Sequence, residues 1–91
     1  MKSTVFVIEG TFEGGDGRGY VVARVLGSAA FDVGPDAVLG GCPVEQWLEI
    51  PRALDEAGRQ RADLFGFCLK DTADRVRLKA GDRVVLEQRL P

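Results

Sequence analysis

The side chains able to do chemistry in this 91-residue chain are few, and their types restrict what it can catalyse. There is no histidine, which removes the commonest general base, the usual activator of a nucleophilic serine or cysteine, and the commonest metal ligand. Cys42 and Cys68 stand 26 residues apart without companion cysteines, so zinc-site spacing is absent. With no secretory signal and no dense cysteine framework, two buried free thiols are expected rather than a disulfide. Carboxylates remain, but no two are set in a recognisable acid/base motif. The loop Gly14-Gly15-Asp16-Gly17-Arg18-Gly19 invites a phosphate-cradle reading. It lacks the G-x-x-x-x-G-K-[ST] pattern and no helix follows to offer its N-terminus, so a hairpin turn is favoured. Within it Asp16-Gly17-Arg18-Gly19 matches a short D-x-x-G pattern, which has no meaning without a phosphate loop elsewhere. An enzyme is therefore the weakest reading, and no cofactor or metal is expected.

Two features carry weight as binding elements instead. Arg75, Arg77 and Lys79 recur at a spacing of two, which on a strand sets three cations on one face and Val76 and Leu78 on the other. Such a row is either a solvated face or a contact for a phosphate chain or an acidic partner. Trp47 falls by alternation with Glu45 and Glu49 rather than with Leu48 and Ile50, making it an interface candidate, since tryptophan is enriched at binding hot spots. Packing under the following loop is the alternative. Arg59 and Arg61, in that loop, join the candidate partner-binding set.

The elements that must position these residues follow a period of two, the strand period. Thr4 to Phe12 is rich in Val, Phe and Ile, the glycine-rich loop turns the chain, and Tyr20 to Leu26 returns. A short Ala29 to Val33 segment ends at Gly34-Pro35-Asp36, where proline fixes φ. Val38-Leu39 is followed by Gly40-Gly41, and Val44 to Ile50 alternates with Val44, Gln46, Leu48 and Ile50 on one side. Pro51 to Gln60 holds helix formers but Gly58 limits it to one turn at most. Ala62 to Lys70 is a near-continuous apolar run that suits a strand buried on both faces. Asp71 to Asp74 turns, Arg75 to Lys79 alternates, Ala80-Gly81-Asp82 turns again, and Arg83 to Arg89 closes the sequence. Six or seven short strands at this spacing predict an all-β fold, a small closed antiparallel barrel with Phe6 or Val7, Val22, Leu48, Phe67 and Leu86 in its core.

Composition sets the wider bounds. Residues 1–91 fit one domain, and 45% hydrophobic with 29% charged residues is an ordinary globular balance. Residues 1–50 hold three basic and seven acidic groups (−4) and residues 51–91 nine and seven (+2), which sum to the net −2. A sequence pI near 5.0 argues against duplex DNA, since phosphate neutralisation supplies most of the affinity in such binders. No apolar run approaches the roughly 20 residues that span a bilayer, and Glu9 and Glu13 interrupt any signal-peptide core. A cytoplasmic protein with no membrane partner is expected.

Three stretches, in order along nearly the whole chain, resemble the second domain of the translational GTPases, elongation factor Tu above all. Phe6-Val7-Ile8 leading into Gly17-Arg18-Gly19-Tyr20-Val21-Val22-Ala23-Arg24-Val25 is similar to that family's glycine-arginine-glycine hairpin and valine-rich strand. Val33-Gly34-Pro35-Asp36 resembles its valine, glycine and acidic turn. The third comprises Arg52 to Arg59, Leu64 to Lys70, and Leu78-Lys79-Ala80-Gly81-Asp82-Arg83-Val84-Val85-Leu86. Two departures stand out: the glycine before Arg24 is missing and the loop around Ala57 and Arg61 is longer. The family's pocket for the aminoacyl end of tRNA also lacks its acidic, arginine and asparagine residues, with Leu48, Pro51 and Asp63 near those places. The resemblance implies a stand-alone elongation factor Tu domain 2-like barrel that binds a protein or an RNA end through one face, without GTPase activity. The alternative is a self-associating structural or assembly protein, a homo-oligomer.

Overall fold

Inward-facing Phe6 and Ile8, and Val21, Ala23 and Val25 on the strand opposite, are all buried. That alternation is what lays the chain into strands around one core. The computed structural model describes residues 3–27, 31–51 and 54–87. Its strands are β1 (Ser3–Glu13), β2 (Gly19–Val25), β3 (Val38–Leu39), β4 (Cys42–Glu49), β5 (Leu64–Leu69) and β6 (Arg83–Glu87). They close into an antiparallel barrel in the order β1-β2-β5-β4-β3-β6, so the all-β closed barrel read from the sequence is the fold. Closure gives each strand two neighbours, which limits open sheet edges in a chain whose strands are this apolar.

Phe6 is the centre of the core. Phe31, from the connection between β2 and β3, meets it edge-on with ring centroids 5.1 Å apart, and Phe67 meets it edge-on at 5.2 Å. Phe31 also stands edge-on to Phe65 at 4.8 Å. Perpendicular rings set the positive edge of one against the negative face of the next, the preferred aromatic packing. Of the expected core, Phe6, Phe67 and Leu86 are buried and Leu48 packs against the cluster half-buried. Val22 does not belong to it: Val21, Ala23 and Val25 take the inward parity, which turns Val22 outward and leaves it half-buried.

Two bulges set the geometry of the outer face. The β1–β2 register passes from Ile8↔Ala23 to Gly10↔Val22, so Glu9 is an extra residue on β1. The β4–β5 register passes from Val44↔Leu69 to Leu48↔Phe67, so Glu45, Gln46 and Trp47 stand opposite the single residue Cys68. A bulge bends its strand and re-aims the side chains beside it. The simple alternation expected for Val44 to Ile50 is therefore broken, and Gln46 and Ile50 are exposed.

The expected strand Arg75 to Lys79 is not one. Residues Thr72–Arg77 form a 3₁₀ turn capped by Asp71, whose side chain accepts from the Ala73 backbone N–H at 3.0 Å. Three residues per turn put positions two apart roughly 120° from each other, so Arg75 and Arg77 do not share a face, and Lys79 lies beyond the turn. Val76 is 79% exposed rather than inward, and Leu78 alone anchors the segment in the core. Pro51 to Gln60 carries no helix among the described residues; Leu54 bridges Gln60 around a turn in which Asp55 Oδ1 accepts from the backbone N–H groups of Ala57 and Arg59. Of the Ala29 to Val33 segment, residues 29 and 30 lie outside the described residues, and residues 31–33 have no regular structure. No described helix is long and apolar enough to cross a membrane.

Candidate functional site

On the outer face, one row of side chains runs across four strands. Phe12 of β1 pairs with Tyr20 of β2, and Tyr20 with Cys68 of β5. Continuing the Leu48↔Phe67 register by one residue brings Trp47 of β4 beside Cys68. The rings follow the register: Phe12 stacks on Tyr20 with centroids 5.1 Å apart and planes 13° from parallel, and Trp47 leans on Tyr20 at 6.1 Å and 60°. Phe12 is 44% exposed and Trp47 40%, whereas Tyr20 between them is 6% exposed. The result is an aromatic surface with a fixed floor and two solvent-facing flanks.

The hairpin loop holds that floor in place. Gly17 takes φ +80°, a left-handed value that glycine adopts without strain. Asp16 then turns back, with Oδ1 accepting from the Arg18 backbone N–H at 3.0 Å and Oδ2 from the Tyr20 hydroxyl at 2.7 Å. Those two bonds hold the Asp16 carboxyl below its ordinary range, the backbone bond first. The same carboxylate pushes the Tyr20 phenol up to about 12, with burial adding to it. Gly14 lies so close under Tyr20 that a Cβ there would stand 2.5 Å from the ring. Arg18 reaches back over the row, its Nη1 3.9 Å from Cys68 Sγ, and feels the Glu45 carboxylate.

Of the residues singled out in the sequence, Trp47 belongs to this row and the cations do not. Arg61 is half-buried at the other end of β2, bonded to both oxygens of Asp63 at 3.0 and 3.1 Å and 3.6 Å from Glu9. Glu9, the bulge residue, also pairs with Arg24 at 3.8 Å. Because Asp63 meets the Val25 N–H at the end of β2, Arg61 stands about five strand residues, roughly 17 Å, from the Tyr20 end. Arg59 is exposed in the Leu54–Gln60 turn. Arg75 lays its stem over Gly19, where a Cβ would meet its Cγ at 2.8 Å, and its buried Nε has no hydrogen-bond partner. Arg77 pairs with Asp74 at 3.6 Å, and Lys79 is exposed, its backbone N–H bonded to Asp82. An open groove of about 410 Å³ lies along Val25, Asp55, Gln60, Arg61 and Asp63, where the cation is already matched by carboxylates.

Phe12, Tyr20, Arg18 and Cys68 were not marked by their residue types. Their signal was positional: a hairpin turning over residues 14–18 sets Phe12 opposite Tyr20. Among the described residues, no group of three or more His, Cys, Asp or Glu side chains is placed to hold a metal ion. No family model, no curated protein and no solved structure matches the chain.

Proposed function

We propose that this chain is a non-catalytic binding module that docks a partner protein on the Phe12–Tyr20–Trp47 face of its barrel. One observation carries the reading: two large aromatic side chains stay 44% and 40% exposed beside a third that is fixed and buried. Aromatic anchors on a rigid scaffold are what binding hot spots are made of, because they bury area at low conformational cost. A cytoplasmic setting, the absence of a cofactor and kinship with the second domain of translational GTPases belong to the same proposal, the last resting on the sequence resemblance alone.

An RNA end is the less favoured partner, because three of the cations expected to meet phosphate are engaged elsewhere, Arg61 on Asp63 and Glu9, Arg77 on Asp74 and Arg75 as a packed stem, and Arg59 and Lys79 do not belong to the aromatic row. Self-association through Trp47 is a second reading, since the same exposed rings suit it. A two-fold contact there would bring Asp16, Glu45 and Glu49 of both copies together, a repulsion that disfavours it. A photo-cross-linking side chain at Phe12 should capture a protein in a ribonuclease-resistant adduct, while one at exposed Val76 should not. Equal capture from both positions, or an adduct that ribonuclease removes, refutes the proposal. An adduct of twice the chain's own mass favours self-association.

A further inference from the structure

Resting on the reading of the aromatic face as a docking surface, we infer that its guest is a cationic side chain, a lysine or arginine of the partner protein. Phe12 and Trp47, 44% and 40% exposed, present π-systems whose quadrupoles attract a cation lying within about 6 Å of a ring centroid. Around them the charge is one-sided. Asp16 is bonded to the Tyr20 hydroxyl. Glu49 acts electrostatically on the same phenol and Glu45 on Arg18. Three carboxylates thus border the row against a single guanidinium.

That guanidinium is itself informative. Arg18 extends from the hairpin to within 3.9 Å of Cys68 Sγ, the middle of the row, while its Nε stays 3.9 Å from Asp16. The chain's own cation already rests along this surface, and the carboxylates exceed what it can neutralise. A phosphate chain would meet net repulsion here, and a neutral apolar guest would gain nothing from the acidic border. A lysine or arginine gains both from the rings and from the carboxylates.

Trp47 is the chain's only tryptophan, so its emission reads the site directly. Blocked peptides alternating glycine with lysine, arginine, norleucine or glutamate, and a single-stranded oligouridylate, serve as probes. The lysine and arginine peptides should shift the emission saturably, about threefold or more tighter than norleucine, and rising salt should weaken them. Arg18→Gln should tighten the lysine peptide by roughly 2- to 5-fold, because it removes a like charge from the row. Glu45→Gln with Glu49→Gln should weaken it by a similar factor. Circular dichroism confirms that each variant is folded. Norleucine binding as tightly as lysine, or Arg18→Gln weakening the lysine peptide, overturns the cationic guest and leaves the docking face standing. An emission shift with oligouridylate tighter than with lysine overturns both the guest and the protein partner. Silence from every probe overturns the guest, and the docking face falls with it only if cross-linking at Phe12 also fails.

Discussion

The Tyr20 hydroxyl donates to Asp16 Oδ2 at 2.7 Å, four residues back across the hairpin. This bond ties the floor of the aromatic face to the glycine-rich loop; it requires a protonated phenol and is strongest with an ionised carboxyl. The loop is thereby a positioning device for Tyr20.

The titration of Tyr20 tests that relationship. Its folded-state value, pushed up to about 12 against an ordinary phenol value of 10.0, means the bond's contribution is fully present below pH 10 and is lost as pH rises toward 12. Asp16, held low, contributes above its unfolded value near 3.8 and loses that contribution as pH falls through its depressed folded value. Phenolate absorbance of this single tyrosine should rise with a midpoint near 12 in the native chain and nearer 10 in Asp16→Ala. Coincident midpoints in the two proteins, both still folded, would show that Asp16 does not hold the phenol.

Arg75 and Gly19 should behave as a coupled pair. Gly19→Ala presses a methyl against the Arg75 stem, and overpacking of this kind costs about 1–3 kcal/mol, toward the low end where a flexible side chain can yield. Arg75→Ala removes the obstacle, so the double variant should recover most of the Gly19→Ala loss. Urea unfolding of the four proteins measures the coupling, and purely additive effects contradict the packing described. Arg77→Gln and Lys79→Gln, on exposed side chains, should stay within about 0.5 kcal/mol of the parent.

How far the sequence was legible follows from which forces were local. The strands of the barrel were readable because alternation and glycine turns are written into consecutive residues, as in Tyr20 to Val25 and Arg83 to Glu87. Arg75-Val76-Arg77-Leu78-Lys79 misled because it alternates equally well, yet Asp71 and Asp74 carried an N-cap and first-turn signal for a helical turn. The bulges at Glu9 and at Glu45 to Trp47 are set by how two strands drift past one another, which no single stretch encodes. Trp47 could be found as an exposed aromatic; that it leans on Tyr20 over Cys68 required the barrel to close.

Phe6 should be the costliest core position. It is fully buried with three ring partners, so Phe6→Ala should destabilise by about 3–5 kcal/mol. Val22→Ala, on a half-buried outward side chain, should lose about 1 kcal/mol. Denaturant unfolding separates them, and equal losses would place the core on the wrong face of β2.

The two thiols differ in what covers them, and that difference can be read chemically. Both are free and buried, but Cys42 faces the core cluster while Cys68 faces outward, paired with Tyr20 and roofed by Arg18 and the Trp47 bulge. Burial pushes the Cys42 thiol up, with Asp74 adding to the effect, so its reactive thiolate is scarce as well as enclosed. In the native protein neither thiol should react readily with a thiol-specific disulfide reagent. Trp47→Gly should expose Cys68 and speed its modification by an order of magnitude or more, since access then needs no opening of the barrel. Cys42 should stay protected until global unfolding, because only the loss of the core uncovers it. Peptide mapping of the labelled protein assigns the site. Labelling of Cys42 first, or equal labelling of both, would mean that the aromatic row does not lie over Cys68 and that Trp47 guards nothing.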